Sequence, residues 1–239
     1  MQRSPLASES LSTIREHLDR IGRKILIMSG TPGAGKTTLA VKLAEALANR
    51  GCRIGVLDLD LKKPEVAKQF GVSQQAYQSI RPNLLIAGTA HTQDKDTCQV
   101  VENLLVQTDW GDLDFLLIDS PWKVSDEHRA ICKYIPELTG VIIVTSAQDR
   151  SMLDVARSTA FCRDRQMAVL GIVENMSGKQ MDNTQKGAWK ARKVGAPFLG
   201  SLVLNTTDEG AASFHEALTA LALMLEKQVA CSQGETRHV

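Results

Sequence analysis

The sequence predicts an α/β fold in which a mostly parallel sheet carries helices on both faces. Three observations predict it. Short runs apolar on both faces recur at KILIMSG, RIGVLDLD, NLLIAG, DFLLIDS, GVIIVTS, AVLGIVENM and PFLGSLVL, as strands buried on each side require. Helix-like stretches separate them at 62–70, 96–108, 126–136, 151–164, 184–194 and 209–228, the alternation of parallel strand–helix units. The length, 239 residues, suits one such domain with an ample core.

Taken in order, the first ten residues are Ser-rich and expected to be loose. From Ser12, TIREHLDRIG reads as a short amphipathic helix with Ile14, Leu18 and Ile21 on one face. Residues 1–21 are thus read as an extension with a short helix. The run from Lys24 to Gly30 is a buried strand ending in glycine, and TTLAVKLAEALANRG then spaces Leu39, Val41, Leu43 and Leu47 helically before stopping at Gly51. No repeat or low-complexity linker interrupts the alternation that follows, so 22–228 is read as one domain. The polar end, 229–239, is expected to be disordered.

Composition narrows the function classes. Lys and Arg number 28 against 27 Asp and Glu, a net charge of +1, which gives no long-range attraction to nucleic acid or an anionic membrane. The five cysteines (Cys52, Cys98, Cys132, Cys162, Cys231) form no CxxC pair, and an odd count without an apolar leader fits reduced thiols in the cytoplasm. No apolar run approaches the roughly 20 residues that span a bilayer.

Gly30-Thr31-Pro32-Gly33-Ala34-Gly35-Lys36-Thr37 fits G-x-x-x-x-G-K-[ST], the phosphate-binding loop (P-loop) of nucleoside triphosphatases. The glycines let consecutive N–H groups turn toward phosphate oxygens. Lys36 sets a charge by the β- and γ-phosphates, and the Thr37 hydroxyl binds Mg²⁺. Thr38 follows at the N-terminus of a helix, whose exposed N–H groups also favour an anion. Eight residues can match by chance, but this match follows a predicted strand and opens a predicted helix.

Such a loop needs a carboxylate for the Mg²⁺ shell. Asp119 ends FLLID at the expected strand end; alone it would read equally well as a helix-capping acid, and the P-loop tips the balance. Asp58 and Asp60 end GVLDLD, and acids two apart on a strand point the same way. One is read as supporting Mg²⁺, the other as positioning or deprotonating the attacking water; the plainer reading is a pair of solvated strand-end acids.

KILIMSG with its P-loop, LDLDLKKPEV, DFLLIDSP followed by DEH, GVIIVTSAQDRSMLDVARSTAFCR, LGIVENMSG and GAPFLGSL together resemble the Mrp/ApbC ATPases, iron–sulfur carrier and scaffold proteins of the MinD/ParA superfamily. The resemblance runs from about 22 to 228, with ENMSG its most specific piece. It implies a P-loop NTPase fold, ATP with Mg²⁺, a homodimer or paralogue dimer, and slow hydrolysis coupled to partner or cluster transfer. It implies Lys36 and Thr37 at the phosphate and Mg²⁺ positions, Asp60 as the acid that orients water, Asp119 as the Mg²⁺-shell acid and Asn175 as the residue that recognises adenine.

Three departures bear on function. Thr31 and Pro32 replace residues of the superfamily's KGGxGK loop, so the lysine that reaches across a dimer is missing. Pro121-Trp122-Lys123 stands where the family has PPG; Lys123 is read either as a substitute for the missing lysine or as an ordinary solvent-facing loop residue. The family's CPxC is absent, with no cysteine between Cys162 and Cys231, so cluster carriage through that site is excluded. The leading expectation is an Mrp-like ATPase in metallocofactor assembly. The alternatives are a nucleotide-gated interaction protein of the ParA/MinD kind and, last, a small-molecule kinase.

Overall fold

In the computed structural model the described residues are 5–73, 77–89, 96–146, 152–175, 184–202 and 216–227. The expected loose start lies partly among them: helix α1 spans Pro5–Asp19, so residues 5–10 are helical. Ile14 and Leu18 are buried against the sheet's core, which makes α1 part of the packed body and no mere extension. Ile21 is buried too, as the first residue of β1 (Ile21–Ser29) and outside the helix.

The alternation continues as α2 (Lys36–Asn49), β2 (Ile54–Asp58), a single turn α3 (Val66–Gln69), β3 (Tyr77–Arg81), β4 (Leu84–Ala87), α4 (Thr97–Gln107) and β5 (Leu113–Asp119). Then come α5 (Asp126–Tyr134), β6 (Gly140–Ser146), α6 (Met152–Asp164), β7 (Val169–Asn175), α7 (Thr184–Val194) and β8 (Phe198–Leu202), with a last helix, α8, over 216–227. The eight strands form one sheet in the order β3-β4-β2-β5-β1-β6-β7-β8. Every neighbouring pair is parallel except β3 with β4.

The sheet divides the core in two because successive strand side chains point to opposite faces. Ile25 and Ile27 of β1 join α2, α3 and α8 on one face. Leu26 and Met28 join α1, α4, α5, α6 and α7 on the other. On the first face α8 buries Leu218, Leu221, Ala222 and Leu225, and Arg50 grips Glu226 through Nε and Nη2 at 2.7 and 2.8 Å.

β3 is the strand that the sequence does not announce. YQSIR has no apolar run and is half exposed, since an antiparallel edge strand needs only one buried face. The central β1 lies between β5 and β6, where the strand order reverses, and in open α/β sheets ligands bind at the carboxyl ends of strands beside that point. The P-loop follows β1.

Candidate functional site

Residues 30–35 join β1 to α2. Gly33 and Gly35 adopt left-handed φ of 72° and 91°, a region that residues with a Cβ enter only at a cost. Gly35 is crowded as well: a Cβ there would lie 1.9 Å from Nδ2 of Asn175. Gly30 answers a different demand, because a Cβ would lie 2.4 Å from the carbonyl oxygen of Asp154 in the first turn of α6. Ser29 Oγ donates to the carbonyl of Thr31 at 2.9 Å, and Ala34 is buried. The loop is thereby held from β7 and from α6.

Lys36 and Thr37 open α2. Lys36 is 8 % exposed; burial lowers its pKa, opposed by the charges of Asp119, Asp60 and Glu65. Thr37 Oγ1 donates to Asp119 Oδ2 at 2.6 Å. This contact follows from topology, since β5 pairs with β1 and sets Asp119 beside Ile27. Burial pushes the Asp119 carboxyl up to about 8, with the Asp58 charge adding to it. Its other oxygen, Oδ1, is buried with no hydrogen-bond partner among the described residues. An orphaned carboxylate oxygen beside a threonine hydroxyl fits Mg²⁺, a hard cation that takes oxygen ligands and keeps several waters.

Asp58 departs from the expectation. β2 ends at Asp58, so Asp60 lies in the following turn and the two acids share no strand face. Asp58 Oδ1 accepts from the Asp60 amide at 3.1 Å, and Oδ2 from the amides of Glu65 and Val66 at 3.1 and 3.0 Å. The geometry gives Asp58 a loop-holding task, because the chain folds back and offers its buried carboxylate three N–H groups, and β2–β5 pairing sets it beside Asp119. Burial pushes Asp58 up to about 6, and those amide bonds oppose the shift.

Asp60 is half-buried and borders a cleft of about 560 Å³ in front of the P-loop. Pro32, Gly33, Gly35, Lys36, Thr37 and Thr38 form its floor. One wall comes from the loop after β2, with Lys62, Lys63 and Glu65, and the other from the loop after β5, with Pro121, Trp122 and Lys123. Trp122 and Lys123 are exposed at the rim.

Two residues escape sequence reasoning. Glu127, in the first turn of α5, borders the cleft although only 3 % exposed. His128, beside it, is buried; its Nδ1 accepts from the Ser125 amide at 3.3 Å, while Nε2 has no partner among the described residues. Burial, aided by the Lys36 charge, pushes His128 down to about 4. The available signal was the spacing Ser125-x-x-His128, that of a box of reciprocal caps at a helix start.

Asn175 ends β7, 1 % exposed, and its Nδ2 donates to the Ala34 carbonyl at 3.0 Å. Its Oδ1 is buried without a partner among the described residues. Residues 176–178 of ENMSG, the 229–239 tail and Cys231 lie outside the described residues. Among the described thiols only Cys162 is buried; burial pushes Cys162 up to about 12 and Cys52 to about 11, and raises Cys132. Among the described residues no three His, Cys, Asp or Glu side chains are grouped to hold a metal ion. No helix among them is long and apolar enough to cross a membrane.

The chain is similar to the iron-sulfur cluster carrier protein of Methanocaldococcus jannaschii, with 32 % identity over 84 % of this chain and 79 % of that protein. It is similar to the cytosolic Fe-S cluster assembly factor NUBP2 homolog of Monosiga brevicollis, with 31 % identity over 83 % and 81 % of the two chains. Among solved structures, a nucleotide-binding protein of Archaeoglobus fulgidus in complex with ADP superposes with a TM-score of 0.68 and 25 % identity, covering 88 % of this chain and 92 % of that one. The cell division ATPase MinD of Pyrococcus furiosus shares the fold at a TM-score of 0.66 and 21 % identity, over 87 % and 99 % of the chains. The family described as ParA, NUBPL iron-transfer P-loop NTPase, matches residues 20–92 and 93–220, so the resemblance read from the motifs holds and the chain belongs to that family.

Proposed function

We propose that this chain is an ATPase whose nucleotide cycle controls a protein partner in iron–sulfur or related metallocofactor assembly. The observation that carries the reading is the Thr37–Asp119 contact of 2.6 Å beneath a cleft that Lys36 borders. Thr37 and Asp119 would hold Mg²⁺, which when bound offsets charge on the phosphates. The P-loop amides and Lys36 bind and orient the phosphates. Asp60 positions the attacking water and takes its proton. The buried acceptor Asn175 Oδ1 suits the exocyclic amine of adenine, a donor that guanine lacks at that place. Cofactor transfer comes from the names of the relatives, as does a cytoplasmic location; a second copy or a paralogue is the proposed immediate partner.

The test is Mg²⁺-dependent ATP binding by calorimetry, with phosphate release followed in parallel. Wild-type chain is expected to bind Mg·ATP and hydrolyse it slowly, and Lys36→Ala to lose both. Binding unchanged in Lys36→Ala would overturn the reading.

A second reading, a nucleotide-gated interaction protein with no cluster of its own, is favoured by one observation: burial raises the pKa of Cys52, Cys132 and Cys162, and the thiolate is the form that ligates iron. Anaerobic reconstitution with iron and sulfide separates the two. A colourless chain supports the second reading; a stable brown chromophore with stoichiometric iron removes it.

A further inference from the structure

Glu127 is 3 % exposed, stands in the first turn of α5 and borders the same cleft as Lys36, Thr37 and Asp60. Burying a carboxylate is costly unless something answers its charge. The ordinary answer at this place is the helix N-terminus, but Asp126 already serves there from solvent, paired with Arg129 at 2.9 Å. Glu127 instead shares the cleft with a second acid, Asp60, whose pKa is raised chiefly by burial, the Glu127 charge adding to it. A buried acid that borders the phosphate cleft beside a second acid is an arrangement that clusters where chemistry uses it.

The position is also firm. The reciprocal caps between Ser125 and His128 fix the first turn of α5, and the His128 ring stands edge-on to Phe161 with centroids 5.8 Å apart. Glu127 is therefore set on a helix end, whereas Asp60 lies on a loop.

We propose that Glu127 is a second water-holding carboxylate of the hydrolytic site, acting beside Asp60. The inference rests on the ATPase reading above. The water oxygen bonds to the γ-phosphorus as the bond to the β–γ bridging oxygen breaks, and that oxygen leaves on ADP with the electron pair. One proton of the water passes to Asp60 and from there to a phosphate oxygen. The other hydrogen stays on the water oxygen, hydrogen-bonded to the Glu127 carboxyl. With one acceptor the water can swing about a single hydrogen bond; with two, its lone pair is directed at phosphorus.

The experiment compares full-length wild type, Glu127→Gln and Asp60→Asn in single-turnover hydrolysis of ATP, with Mg·ATP affinity and Tm measured on each. Glu127→Gln is expected to slow phosphate release about 100-fold, with affinity and Tm close to wild type. Hydrolysis within about twofold of wild type, or a loss matched by weaker binding or a lower Tm, overturns the inference, because a merely structural acid would give either. Wild type that binds ATP yet releases no phosphate brings down the ATPase reading and this role with it. Active wild type with an unaffected Glu127→Gln sinks the role of Glu127 alone.

Discussion

Asn175 closes off the space that any side chain at Gly35 would need: the distance from its Nδ2 to a Cβ built there is 1.9 Å. The same nitrogen donates to Ala34 at 3.0 Å, so the last residue of β7 shapes the P-loop from beneath. Gly35→Ala must therefore leave its φ of 91° or displace Asn175. Left-handed backbone alone costs about 1–2 kcal/mol. We expect a lower Tm and at least a tenfold loss of ATP affinity, measured by thermal shift and calorimetry.

Asn175→Ala removes both the strut to Ala34 and the unpartnered Oδ1. Loss of the strut lowers affinity for any nucleoside triphosphate, while loss of the acceptor penalises adenine only. Binding of ATP and GTP is expected to weaken together, with the preference for ATP shrinking by about tenfold. An unchanged ATP-to-GTP ratio would remove the adenine role and leave the strut.

His128 gives a pH signature. Its pKa of about 4 lies below the ordinary 6.5, so the folded chain binds fewer protons than the unfolded chain between those values. The stability this provides is complete above about pH 6.5 and declines toward pH 4, on the order of 1 kcal/mol per pH unit. Asp119 and Asp58, both pushed up by burial, act with the opposite sign. The readout is therefore the difference between wild type and His128→Asn: denaturant midpoints at pH 7 and pH 4.5 should show the variant losing less on acidification. Equal losses would discard the account.

Lys123 is exposed and borders the cleft, so Lys123→Ala should leave Tm unchanged. If its ammonium stands in for the missing loop lysine, phosphate release falls about tenfold while ATP affinity drops less. Turnover equal to wild type would make Lys123 an ordinary surface residue.

What was legible follows from what is local. The seven apolar runs are all strands, those at the sheet's centre buried on both faces, and the P-loop, Thr37 and Asp119 stand together because β1 and β5 are neighbours. Tyr77–Arg81 was illegible, since a partly exposed edge strand has no long apolar signature. Asp58 was seen as a strand-end acid, but its hold on the amides of Glu65 and Val66 depends on a chain return that no short motif encodes. Glu127 and His128 sat in a recognised stretch, yet only the packing of α5 turns one toward the cleft and buries the other's ring. Asn175 was legible as a site residue, and its grip on Ala34 was not, because that contact joins residues 141 positions apart.

The clamping of residues 30–35 between Asn175 and the first turn of α6 has an outward consequence. A segment wedged on two sides is a poor messenger, since it has little room to answer the presence or loss of a terminal phosphate. On the ATPase reading, the news would leave through the flanking strands' exits: the Asp58-laced bend after β2 and the Trp122-bearing stretch after β5. A partner that distinguishes the ATP form from the ADP form would do so by touching those two segments, and mutations that stiffen them should leave the chain binding nucleotide while deaf to which one it holds.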